Sequence, residues 1–244
     1  HTPDEVASAV EQARRFAQSV SIDLIFAAPG ETLQQWETDL RRALELQPDH
    51  VSTYELTYEK GTEFWNRLQR GKLNQADEEL RAEMYETTLD ILQQAGYQQY
   101  EISSFAKPGH QSIHNQVYWT GDSYFAFGPG AARYLGGCRQ TNHPSPLQYM
   151  RMLEANRSPT WISEKLSATE SARELLSIGL RRLAGVPCQD FARRTGYSIE
   201  TLVGNKLELW LDHQIVEFVN QWFRLTRRGC LVYDQVASEI INPL

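Results

Sequence analysis

The first hundred residues switch repeatedly between two hydrophobic periods, and this alternation constrains the fold more than any other feature. Val6, Val10, Ala13 and Phe16 or Ala17 recur at helical spacing. Thr2 is placed as the N-cap of that helix, Pro3 suits its first position, and Glu5 completes a capping box. Residues 20–26 (VSIDLIF) alternate with a period of two, Val20, Ile22, Leu24 and Phe26 on one face and Ser21, Asp23 and Ile25 on the other. A turn at Ala28-Pro29-Gly30 leads to Thr32, with Gln35 as its capping-box partner. The helix that follows is striped by Leu33, Trp36, Leu40 and Ala43 or Leu44 and stops at Pro48. Residues 50–57 (HVSTYELT) predict a second strand, and Asp77 opens a helix carrying Leu80, Met84, Ile91 and Leu92 and ending at Gly96. Residues 97–103 predict a third strand. Helix and strand alternating in short steps imply α/β architecture, with parallel strands joined by crossover helices. Sites in such folds gather at the carboxyl ends of the strands. Asp23 is expected to point into a barrel or crevice, where a carboxylate needs a partner within the protein or a ligand.

The texture changes between residues 97 and 137, where glycines, aromatics and polar residues replace periodicity, as in a functional loop region over a scaffold. Residues 142–146 (NHPSP) read as a linker. From residue 161 the chain is mainly helical. Ser167 or Thr169 starts a helix with Leu175, Leu176 and Ile178, and GVPCQDFARRTGYSIETL reads as helix–turn–helix with its turn at Thr195-Gly196. Residues 215–219 and 222–225 then predict two short strands, a winged-helix-like ending. The expected division is therefore 1–140, a linker at 141–160, and an accessory domain at 161–244. A winged helix invites a nucleic-acid reading, but residues 161–244 hold ten basic and ten acidic residues, and the whole chain carries −7 with a pI near 5.4. That charge disfavours a nucleic-acid binder. No apolar run approaches the ~20 residues needed to span a bilayer, and no secretory signal is expected. Cys138, Cys188 and Cys230 lie far apart in no ligand-like spacing, which fits reduced thiols in a cytoplasmic protein. The chain opens on His1, not Met, and runs at once into a helix start, so it is expected to be a piece of something longer.

His114-Asn115-Gln116-Val117-Tyr118-Trp119 is the sharpest constellation. A neutral imidazole can ligate haem iron axially, and Tyr and Trp can pack on a porphyrin face. A hydrogen-bonded structural histidine among aromatics is the alternative. In order along the chain, SIDLIFAAPGET, QPDHVSTYELTYEKGT, YEISSFAKPG, HNQVYW and FGPGA resemble the radical SAM haem chaperones of the HemW type. Those are relatives of oxygen-independent coproporphyrinogen III oxidase. The resemblance implies the second part of a parallel β/α, partial TIM-like barrel followed by a mainly helical, winged-helix-like domain. It also implies a haem site at His114, with Asn115, Tyr118 and Trp119 shaping it, and contacts to S-adenosylmethionine from Asp23, Thr57 and Ala132. The family's CxxxCxxC motif, whose thiolates bind a [4Fe-4S] cluster, does not occur here, so the cluster and a complete S-adenosylmethionine site are expected only in a longer parent. The implied partners are haem and an acceptor protein, with a homodimer left open. An oxygen-independent coproporphyrinogen III oxidase, removing two propionate carboxyl groups by radical chemistry, is the enzymatic alternative.

Overall fold

The computed structural model describes residues 2–243. The chain forms two compact units, residues 1–111 and residues 112–244.

The first unit follows the two periods closely at its start. Helix α1 (Pro3–Arg14) begins on the Thr2–Glu5 capping box, and its Val10 packs with Val20 and Ile22. Strand β1 (Ser21–Phe26), helix α2 (Leu33–Glu45) and strand β2 (His50–Glu55) form a β/α/β step, the strands parallel from Ser21 opposite His50 to Phe26 opposite Glu55. Helices α3 (Glu63–Gln69) and α4 (Glu78–Gln94) follow. The apolar face of β1 meets the helices: the Phe26 and Trp36 rings lie 5.5 Å apart. Trp36 Nε1 donates to Thr88 Oγ1 at 2.9 Å and to the Met84 carbonyl at 3.2 Å, tying α2 to α4. A buried indole thus keeps its polar handle satisfied while contributing its apolar area.

The third predicted strand departs from the parallel pattern. Residues 97–103 contain β3 (Gln98–Glu101), which turns directly into a three-residue strand, β4 (Ser104–Ala106). The sheet order is β1-β2-β4-β3, with β4 antiparallel to both β2 and β3. Two residues between β3 and β4 are far too few for the crossover that a parallel pair needs. The buried Glu101 carboxylate pins the turn, accepting from the Ser103 N–H at 2.9 Å and from Ser104 Oγ at 2.8 Å. The sheet is open, with β1 and β3 at its edges.

The second unit begins with helix α5 (Ile113–Trp119). An antiparallel sheet of β5 (Ala132–Leu135), β6 (Cys138–Asn142) and β7 (Thr160–Lys165) follows, with helix α6 (Pro146–Glu154) between β6 and β7. The stretch 141–160, expected as a linker, therefore holds the end of β6, all of α6 and the start of β7. Helix α7 (Ala168–Gly179) starts on a Ser167–Glu170 capping box. Strand β8 (Val186–Pro187), helices α8 (Cys188–Thr195), α9 (Ile199–Val203) and α10 (Lys206–Asp212), and the hairpin of β9 (Val216–Val219) and β10 (Trp222–Leu225) give the winged-helix-like arrangement. Gly196 ends α8 at φ 78°, the left-handed cap that makes the expected turn. Helices α11 (Arg227–Leu231) and α12 (Tyr233–Ile241) close the unit, with Leu176, Phe191, Phe223 and Ile240 in its core.

Candidate functional site

Helix α5 carries the histidine motif and is capped by Ser112, whose Oγ accepts from the Asn115 N–H at 3.3 Å. Positions four apart share a helix face. His114 and Tyr118 form one such pair, and both are exposed. Tyr118 Oη and His114 Nε2 are hydrogen-bonded at 3.0 Å, with their rings edge to face at 5.0 Å. The aromatic contact continues from Tyr118 to Tyr124 at 4.5 Å and on to Tyr134 at 6.3 Å. Tyr124 and Tyr134 also exchange backbone hydrogen bonds of 2.9 and 3.0 Å, so the ladder is fixed to β5. Burial pushes the Tyr124 hydroxyl above its ordinary pKa, against the pull of the Arg139 guanidinium. Arg139 is held in turn by Glu174 and, at 3.8 Å, by Glu164. Ile113, Phe125 and Phe127 are 80%, 69% and 87% exposed, giving this stretch an unusual amount of wet apolar surface.

The other half of the motif turns inward. Trp119 is buried and forms a wall of a cavity together with residues of α7 and α8, and Asn115 is half-buried. The motif thus divides into an outward pair, His114 and Tyr118, and an inward Trp119 that belongs to the packing behind the helix. The Gly-Pro-Gly loop is tied down: the Gly128 N–H donates to Tyr149 Oη at 3.1 Å, and Asn142 Nδ2 donates to the Gly128 carbonyl at 3.0 Å. Gly128 has φ 100°, a conformation open to glycine and few others. Ala132 follows as the exposed first residue of β5.

In the first unit Asp23 is exposed on the sheet face opposite Ile22 and Phe26, the residues that pack inward. Its face is polar. Ser21 Oγ meets His50 Nδ1 at 2.9 Å, and His50 Nε2 meets Tyr100 Oη at 2.8 Å. Burial lowers the His50 pKa below its ordinary value, while the negative charges of Asp23 and Glu101 oppose that shift. An exposed carboxylate there suits a cationic group. Thr57 is exposed in the segment after β2. Cys138, Cys188 and Cys230 form no disulfide, and no group of three or more metal-ligating side chains occurs among the described residues. The cysteines do not fit an iron–sulfur cluster.

The whole chain superposes on a solved structure described as coproporphyrinogen III oxidase (HemN) from Escherichia coli, a radical SAM enzyme, with a TM-score of 0.78 at 17% identity and over 60% of that chain. The fold is therefore HemN-like: an open α/β sheet followed by a mainly helical domain. Residues 166–232 match the HemN C-terminal domain family. The chain is 34% identical over all of its length to the heme chaperone HemW of Bacillus subtilis, and 34% identical over 99% of its length to that of Lactococcus lactis. It spans 65% and 63% of the lengths of those two relatives. Over its whole length the chain is similar to heme chaperones of the HemW type.

Proposed function

We propose that this chain is the haem-handling part of a radical SAM haem chaperone. His114 ligates the haem iron, the Tyr118 ring and the apolar side chains beside it lie against the porphyrin, and Asn115 and Trp119 support the motif helix from behind. Haem is then passed to an acceptor protein in the cytoplasm. The observation that carries this reading is an exposed imidazole on a capped helix, with Ile113 beside it and Phe125 and Phe127 just past Tyr124. Exposed apolar groups in such density mark binding surfaces, and porphyrin presents the flat apolar faces to match them. In the whole protein, Asp23, Thr57 and Ala132 contact S-adenosylmethionine bound at a [4Fe-4S] cluster whose thiolates lie outside this chain.

The test is His114→Ala in the haem-loaded protein. Loss or a strong shift of the Soret band with an unchanged fold supports ligation, because no neighbouring apolar residue replaces an iron ligand. An unchanged spectrum with a fold destabilised by about 0.5–1 kcal/mol identifies a structural hydrogen bond instead. That outcome would favour the second reading, an oxidase acting on a porphyrinogen, which draws its support from the HemN-like fold.

A further inference from the structure

The cavity behind α5 has no part in the haem reading. Its volume is about 240 Å³, below the ~300–1,000 Å³ of drug-sized sites, so it suits a ligand of about one ring. Trp119, Leu175 and Phe191 supply flat and apolar wall, while Arg182 and Arg194 bring two guanidinium groups to the same space. These cations are electrostatically close. Burial and the charge of Arg194 both depress the Arg182 pKa, and only Asp122 opposes them. Asp122 and Asp190 also border the cavity, but the Asp122 carboxylate accepts from Thr120 Oγ1 at 2.6 Å and that of Asp190 is engaged by Arg193 at 2.9 Å. Among the described residues neither cavity arginine is paired with a carboxylate: Arg182 donates to the Gly185 carbonyl at 3.1 Å, and Arg194 to the Thr120 carbonyl at 3.0 Å. Arg182 Nε is buried with no hydrogen-bond partner among the described residues. A partly desolvated Arg182 with the exposed Arg194 beside it, next to an aromatic wall, is a costly arrangement alone and a favourable one around an anion.

We propose that this cavity binds a small organic carboxylate, its apolar body against Trp119 and Phe191 and its carboxyl group on Arg182 and Arg194. Guanidinium forks match a planar carboxylate, and a ring-sized body fills the apolar half. The ligand is a free acid or a propionate arm of a porphyrin, both of which present the same group.

Benzoate is the probe, with benzyl alcohol as its uncharged counterpart, titrated into the 244-residue chain and followed by amide and indole NMR shifts. Saturable binding at or below about 1 mM is expected, with shifts at the Trp119 indole and the Gly179 amide and no saturation by benzyl alcohol. Arg182→Met and Arg194→Met should each weaken benzoate about tenfold or more, the loss of a charge-assisted hydrogen bond. Arg182→Lys should recover part of the loss. Leu175→Trp, which fills the cavity and leaves both arginines, should abolish binding and serves if an arginine variant does not fold. Absence of saturation, equal binding of the alcohol, or benzoate affinity retained in Leu175→Trp would each overturn the proposal. With the site established, competition by bound haem assigns it to the propionate arm, and independent binding assigns it to a free acid.

Discussion

Tyr118→Phe asks which nitrogen of His114 meets the iron. Nε2 stands clear of the side chain's own stem, whereas Nδ1 is crowded by Cβ, so ligation is expected through Nε2. In the resting structure that nitrogen is already hydrogen-bonded to Tyr118 Oη at 3.0 Å. An imidazole nitrogen cannot serve a hydroxyl and a metal together, so ligation must first break this bond. Phe keeps the ring, and with it the contacts of 5.0 Å to His114 and 4.5 Å to Tyr124, and removes only the competing hydroxyl. The net worth of such a bond is about 0.5–1.5 kcal/mol, and 1.4 kcal/mol is about tenfold in a binding constant. Because both residues are exposed, the lower part of that range applies, and Tyr118→Phe should bind haem about two- to fivefold more tightly. Titration of haem into both proteins by Soret absorbance, with His114→Ala as the control, measures the effect. Weaker binding by Tyr118→Phe would refute the reasoning, since it would mean that the hydroxyl orients an Nδ1-ligating imidazole. Unchanged affinity would refute it as well.

Thr88→Val removes the acceptor of the Trp36 indole and a donor to the Met84 carbonyl inside a fully buried contact, so denaturant unfolding should report a loss of about 1–3 kcal/mol; a loss below a few tenths would show that the α2–α4 tie is unimportant. His50 is depressed below its ordinary pKa of 6.5. The unfolded chain therefore binds the proton first, and stability falls as pH drops below about 6.5, with no contribution above it. His50→Gln should flatten the pH dependence of the denaturation midpoint below about pH 6.5, and identical slopes in the two proteins would contradict the assignment. A Cβ on Gly229 would sit 2.0 Å from the Ile215 carbonyl oxygen, so Gly229→Ala should destabilise the second unit by at least about 1–3 kcal/mol; a melt like that of the parent chain would refute the close approach.

What was legible in the sequence was what is local. The Thr2, Thr32 and Asp77 caps occur as read, and Ser167 is the cap of the two candidates Ser167 and Thr169, because a cap and the period after it lie within a few residues of each other. The β3–β4 hairpin was not legible, since Ser104–Ala106 is too short to show a period and its direction is set by a buried Glu101 that looks locally like any strand carboxylate. His114 and Tyr118 could be paired by their spacing, but the ladder through Tyr124 and Tyr134 joins residues distant in sequence and had no signal. Arg182 was hidden for a further reason. It stands next to Arg181, and nothing in the pair tells that Arg181 lies over the Tyr233 ring at 5.2 Å while Arg182 borders the cavity.

The winged-helix-like domain has a use in this chain that requires no nucleic acid. A seven-residue helix such as α5 is too short to be stable by itself. Its amino end is held by Ser112, but its carboxyl end is held from α8, where Arg194 donates to the Thr120 carbonyl at 3.0 Å. Trp119 packs into the same region, and Gly121 lies so close to Leu175 of α7 that an added Cβ would come within 2.3 Å of that side chain. Helices α7 and α8 therefore set where α5 lies and with it the outward direction of His114. Such a role needs apolar packing and a few directed hydrogen bonds, and no excess of positive charge. The even balance of ten basic and ten acidic residues over 161–244 is what a positioning scaffold of this kind requires.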